Sequence, residues 1–250
     1  MDHWYYYPIL VVVGFVVGFI NTVAGGGSLL ALPVLIFMGL PPTLANGTNR
    51  VAIIIQTALA TAGFKSKNVS TFPFNIYLGI SAFFGSLLGA KIAVDIDEAI
   101  FNKVLAIIMA AVILIIIFKP KTSITNLQER LTGKYLWLGI IVFFFLGIYG
   151  GFINAGIGFL IILYLHYTHY MSLVRVNATK VFVVFIYTLG ALAVFILNDK
   201  VDFKIGFVLA IGNAAGAWVS SRLSVKKGDG FIRGFLIVMV SIMAIKLWFF

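Results

Sequence analysis

An all-α integral membrane protein is the fold class this sequence predicts, and three observations predict it. Charged residues make up only 10% of the 250 residues against 62% hydrophobic, and the mean hydropathy is +1.10. A soluble domain carries about a quarter charged residues to cover its core, so this chain lacks the material for a polar surface. Apolar stretches of about 18 residues or more recur, each long enough to cross about 30 Å of hydrocarbon as helix. Basic residues, finally, sit in the short gaps between those stretches, where cytoplasmic loops carry them. The net charge of +10 therefore reads as loop charge and not as a nucleic-acid surface. Cysteine is absent, which excludes disulfides, thiolate catalysis and cysteine-ligated metals.

The chain opens on Met1-Asp-His-Trp-Tyr-Tyr-Tyr7. This run lacks the basic region of a secretory signal and reads as an interfacial aromatic belt ahead of a retained first helix. Five apolar segments follow, over 8–24, 27–39, 49–64, 73–91 and 99–118. Five more run over 135–155, 157–170, 178–197, 204–220 and 231–250. The two sets are related. Gly14-Phe-Val-Val-Gly-Phe-Ile-Asn21 reappears as Gly147-Ile-Tyr-Gly-Gly-Phe-Ile-Asn154, Asn46-Gly-Thr48 as Asn177-Ala-Thr179, and Gly85-Ser-Leu-Leu-Gly-Ala90 as Gly212-Asn-Ala-Ala-Gly-Ala217. Order and near-constant spacing point to a duplication. The expected organisation is a first transmembrane repeat at 1–118, a basic cytoplasmic linker at 119–134 and a second transmembrane repeat at 135–250.

Charge sets the orientation. The linker holds Lys119, Lys121, Arg130 and Lys134 against Glu129, and the loop at 220–233 holds Arg222, Lys226, Lys227 and Arg233 against Asp229. Both belong inside. Counting back puts Lys65 and Lys67 inside, Asp95, Asp97 and Glu98 outside, and the N-terminus outside. An odd number of segments per repeat inverts the second half, a plan common among secondary transporters. The second segment of each repeat is short, so it is either a broken crossing or one arm of a re-entrant hairpin, giving ten or eight full crossings.

Gly25, Gly26 and Gly27 interrupt the first repeat, and Gly156 and Gly158 interrupt the second at the corresponding place. Non-helical backbone at membrane depth survives only inside the protein or along a cavity, and paired interruptions mark a transporter's binding site. Short helices starting near Ser28 and Phe159 would aim free N–H groups at a shared cavity, which suits an anion. The competing role is close helix packing. Asn21 and Asn154 precede the breaks, while Asn46, Thr48, Asn49, Asn177 and Thr179 open the third segments, as uncharged donors or as helix caps. Arg50, Arg175 and Lys180 adjoin that cluster and either attract the anion or snorkel to the interface. The pairs Gly14/Gly18, Gly147/Gly151, Gly85/Gly89 and Gly212/Gly216 have the spacing of close helix contacts.

Other chemistries find little support. No glycine loop carries a nucleotide-binding fingerprint, and His166 and His169 lack a third ligand nearby, which favours interfacial histidines over a metal or proton relay. All eight acidic residues can be placed in tails or loops, so no segment carries the buried carboxylate of a proton relay. No cofactor is expected. An enzyme would need convergent acid, base or metal ligands, and an assembly subunit would not need two matched helix breaks.

The run Gly18-Phe-Ile-Asn-Thr-Val-Ala-Gly-Gly-Gly-Ser-Leu-Leu-Ala-Leu-Pro33, followed by Gly39-Leu-Pro41 and Ala45-Asn-Gly-Thr-Asn49, resembles the sulfite exporter TauE/SafE family of membrane anion permeases. The second-half repetition extends the likeness over nearly the whole chain. The resemblance implies transport of sulfite or an organosulfonate across a bacterial cytoplasmic membrane, with uptake of another inorganic or organic anion as the alternative. The second half departs from the pattern: Gly156-Ile-Gly158 replaces the triple glycine, and no proline stands at the equivalent of Pro33. The implied partners are a small anion and membrane lipid, with the oligomeric state left open.

Overall fold

The computed structural model describes residues 6–101, 103–104, 106–107 and 128–249. Among them the chain is all-α. It runs through α1 (Tyr6–Val23), α2 (Ser28–Phe37), α3 (Pro42–Lys65), α4 (Phe74–Asp95), α5 (Gly133–Phe152), α6 (Ile157–His169), α7 (Leu173–Leu197) and α8 (Phe203–Phe249). The segment expected at 99–118 is described only at its helical start, 98–101, and at 103–104 and 106–107; its remainder, and 119–127 of the expected linker, lie outside the described residues.

Among the described residues five helices are long and apolar enough to cross a membrane: α1, α4, α5, α7 and α8 over Phe203–Leu236. The protein is accordingly a multi-pass membrane protein. Helices α2 and α6 have 10 and 13 residues; at about 1.5 Å per residue neither reaches across about 30 Å of hydrocarbon. Helix α3 is long, at 24 residues, but it is polar along one stretch. Asn46, Thr48, Asn49, Arg50, Gln56 and Thr57 are all buried, so its polar groups face protein and not lipid.

Three boundaries differ from those expected. Helix α3 begins at Pro42, where the fixed φ of proline suits the first helical position. Helix α7 begins at Leu173 after Ser172, whose hydroxyl accepts from the Arg175 amide at 3.4 Å. The Asn/Thr clusters therefore lie one to two turns inside their helices and do not cap them. The loop expected at 220–233 is helical as well. Helix α8 runs through it with one break at Gly228, whose backbone (φ 71, ψ −168) no helix accommodates. Asp229 beside that break caps α7, accepting from the amides of Leu173 and Val174 at 2.9 and 3.0 Å.

The glycine pairs lie where helices touch. A Cβ built on Gly14 or Gly18 of α1 would overlap the backbone of α8 at Leu209 and Asn213, and one on Gly212 or Gly216 would overlap α1. The same holds between α4 and α5, where Gly85 and Gly89 meet Phe144 and Ile148 while Gly147 and Gly151 meet Ala82 and Ser86. Helix contact this close requires residues without side chains. Helix α1 thus packs on α8, and α5 on α4.

Candidate functional site

The two breaks meet face to face. Gly25 adopts φ +85 and lies so close to Gly158 that a Cβ on either would overlap the other's Cα. Asn154 and Gly156 of the second break take φ 56 and 75. Neither break leaves room for a side chain at its point of contact, and the positive φ at Gly25 would strain one in any case. Gly26 lies under the ring of Phe159, and Gly27, immediately before α2, packs on Asn21.

A buried cation on α3 holds the end of α5, and one on α7 holds the end of α1. On α3, Arg50 donates to the carbonyls of Gly150 at 3.0 Å and Gly151 at 2.5 Å, with the Asn46 Oδ1 at 3.5 Å; Asn46 itself donates to the Phe152 carbonyl at 2.7 Å. On α7, Lys180 donates to the carbonyls of Asn21 at 3.1 Å and Thr22 at 2.9 Å and to Asn177 Oδ1 at 2.7 Å; Asn177 donates to the Val23 carbonyl at 2.9 Å. Both clamps place positive charge at a helix C-terminus, where the final carbonyls lack intrahelical donors and the dipole is negative. Arg50 is 0% exposed and Lys180 2%. Neither snorkels.

A small polar cavity lies between the breaks. Asn21, Gln56, Asn154, Gly158 and Lys180 border it on the polar side and Ile157, Val181 and Val184 on the apolar side, with room for about one water molecule. Asn21 Nδ2 donates to Gln56 Oε1 at 3.2 Å. Asn154 Nδ2 donates to Ser28 Oγ at 3.1 Å, and its Oδ1 accepts from the Tyr187 hydroxyl. Asn49 Nδ2 also donates to Ser28 Oγ, at 3.4 Å. The cavity touches the first residues of α6, while α2 reaches it through Ser28 and Asn154. Among the described residues no carboxylate borders it.

The fold thus gathers Asn21, Gly25, Gly26, Gly27, Ser28, Asn49, Asn154, Gly156, Gly158, Asn177 and Lys180 around the two breaks, with Asn46 in the Arg50 clamp. Three candidates lie elsewhere. Thr48 accepts from the Asp202 amide at 2.9 Å, Thr179 pairs with Thr71 at 2.8 Å, and Arg175 forms an ion pair with Glu129 at 3.0 Å while 40% exposed. Gln56 and Tyr187 were missed. The signal for Gln56 was present, because an amide in the middle of an apolar membrane segment is a functional residue by default. His166 Nδ1 and His169 Nδ1 lie 2.8 and 2.6 Å from the carbonyls of Met171 and Arg130. Among the described residues no three metal-binding side chains cluster.

Short helices, buried cations on helix ends and a polar cavity bordered by no carboxylate among the described residues fit a membrane transporter for a small anion. Comparison with known proteins specifies which kind. The family model described as sulfite exporter TauE/SafE matches residues 10–247, and the chain belongs to that family, whose members are transporters and not enzymes. It is 33% identical to a probable membrane transporter protein of Haemophilus influenzae over 96% of this chain and 93% of that one. It is 29% identical to the probable membrane transporter protein YfcA of Escherichia coli over 96% and 88% of the two chains. An archaeal relative, the probable membrane transporter protein MJ0441 of Methanocaldococcus jannaschii, is 27% identical over 94% and 91%. No solved structure matches the chain.

Proposed function

We propose that this chain is two inverted-topology repeats that export sulfite or an organosulfonate from a bacterial cytoplasm through the cavity between the breaks. The observation that carries the reading is the convergence of Lys180, Asn21 and Asn154 on one buried cavity beside the start of α6. A desolvated anion needs a countercharge and directed donors, since its burial without them is prohibitive. Lys180 provides the charge. The amides of Asn21 and Asn154 and the N-terminus of α6 provide uncharged donors without adding titratable groups. The mutual packing of each repeat's first helix on the other's fourth supports the two-fold plan, with Lys65, Lys67, Arg222, Lys226, Lys227 and Arg233 at the cytoplasmic face and the N-terminus outside.

Export needs no proton partner in this scheme. An anion leaving a negative interior gains about 2.3 kcal/mol per charge per 100 mV, and no carboxylate among the described residues borders the cavity to relay protons. The test is purified protein in liposomes, assayed with sulfite, thiosulfate, sulfate and taurine-like sulfonates. A current carried by sulfite or a sulfonate is expected. Flux without current would reject the uncoupled mechanism, and absence of flux with every one of these anions would reject the substrate class.

A further inference from the structure

Among the described residues that line the cavity, Gln56 is the one whose side-chain nitrogen has no hydrogen-bond partner at all. Its Oε1 accepts from Asn21 Nδ2 at 3.2 Å and from Asn213 Nδ2 at 3.3 Å. In this arrangement both amide donors share the Gln56 oxygen, and turning the Gln56 amide alone would set N–H against N–H. The Nε2 group that results has no hydrogen-bond partner, although Gln56 is 1% exposed and borders the cavity. Leaving a buried N–H group unpartnered forfeits its hydration without return, which is hard to reconcile with scaffolding alone. Lys180 borders the same cavity and is the only cation among the described residues to do so; Arg50 is held away from it by the carbonyls of Gly150 and Gly151.

We propose that Gln56 is a substrate-binding residue, its Nε2 donating to an oxygen of the anion that Lys180 neutralises, and that the site therefore takes singly charged oxyanions in preference to dianions. The inference rests on the anion site proposed above and adds to it a residue and a charge rule. One ammonium balances one negative charge. A second would enter a space walled by Ile157, Val181 and Val184 with only neutral donors, and uncompensated charge there is expensive. The cavity holds about one water in this form, so the anion enters as its walls part, and the free Nε2 is the donor already in place to meet it.

The test uses the purified full-length protein in liposomes, with methanesulfonate and sulfate as probes at neutral pH. Wild-type protein should transport methanesulfonate with a KM about tenfold or more below that for sulfate; equal values overturn the charge rule. Gln56→Glu keeps an oxygen for Asn21 and Asn213 to bond while removing the donor, and Gln56→Met removes the donor without adding charge. Each should raise the KM for methanesulfonate about tenfold, with the melting temperature of Gln56→Glu close to wild type. Asn213→Ala, which touches only the acceptor side, should change KM less than threefold. A wild-type KM in either Gln56 variant overturns the assignment. If wild-type protein moves neither probe nor any of the other anions, the site itself has been misread, and that outcome is distinct from a Gln56 variant behaving as wild type.

Discussion

The two clamps do the same mechanical task with different cations. Arg50 reaches from α3 to the closing carbonyls of α5 and Lys180 from α7 to those of α1, and each is steadied by an asparagine one turn earlier, Asn46 or Asn177. The guanidinium of Arg50 bridges two successive carbonyls with its planar fork and also lies 4.8 Å over the ring of Phe195. A fork fixed this way has little freedom to change partners. The ammonium of Lys180 is a compact point charge on a flexible stem, and it borders the cavity. The difference separates two roles: the Arg50 clamp fastens α3 to α5, while the Lys180 clamp, on the function proposed above, exchanges a backbone carbonyl for a substrate oxygen.

Breaking the Arg50 clamp should cost most. Arg50→Met leaves the carbonyls of Gly150 and Gly151 without donors, and destabilisation of about 3–5 kcal/mol should appear as a large fall in melting temperature and in the yield of monodisperse protein. Lys180→Met should invert that balance. Stability drops by about 1–3 kcal/mol, but anion flux falls to a tenth or less; a variant that keeps wild-type flux would place the countercharge elsewhere. Asn154→Ala removes links to both Ser28 and Tyr187, whereas Asn21→Ala removes only the bond to Gln56. Flux should therefore weaken in both and more in Asn154→Ala, with stability losses of about 2 and 1 kcal/mol measured by thermal unfolding in detergent. The smallest effect belongs to Thr48→Val, which loses the bond to the Asp202 amide outside the cavity. It should cost about 1 kcal/mol and leave the KM for the anion unchanged.

Much of this arrangement could be read from the chain. Glycine runs inside apolar sequence have few explanations, so the breaks and the close helix contacts were visible as pattern. What the clusters bond to was not. Arg50, Lys180, Asn46 and Asn177 all hold backbone carbonyls of α5 or α1, and a backbone acceptor leaves no mark on residue identity. Placing the Asn/Thr clusters at helix starts failed because Pro42 and Ser172 had already begun those helices a turn or more earlier. The pairing of Asn21 with Asn154 slips for a related reason. The clamps align Val23 with Phe152, the last residues of α1 and α5, so Asn21 lies in the final turn of its helix while Asn154 lies beyond the end of its own. Motif matching aligned letters; the clamps align helix ends, and the two differ by about a turn.

The packing of α1 on α8 has a consequence for biogenesis. The glycine face of α1 leaves the ribosome long before the surface that covers it has been synthesised. Until α8 arrives, that face must wait in the bilayer or against the insertion machinery, exposed to the incorrect associations that partly made membrane chains risk. Assembly of the first helix therefore waits for α8, and a nascent chain arrested before α8 should be cleared by quality control.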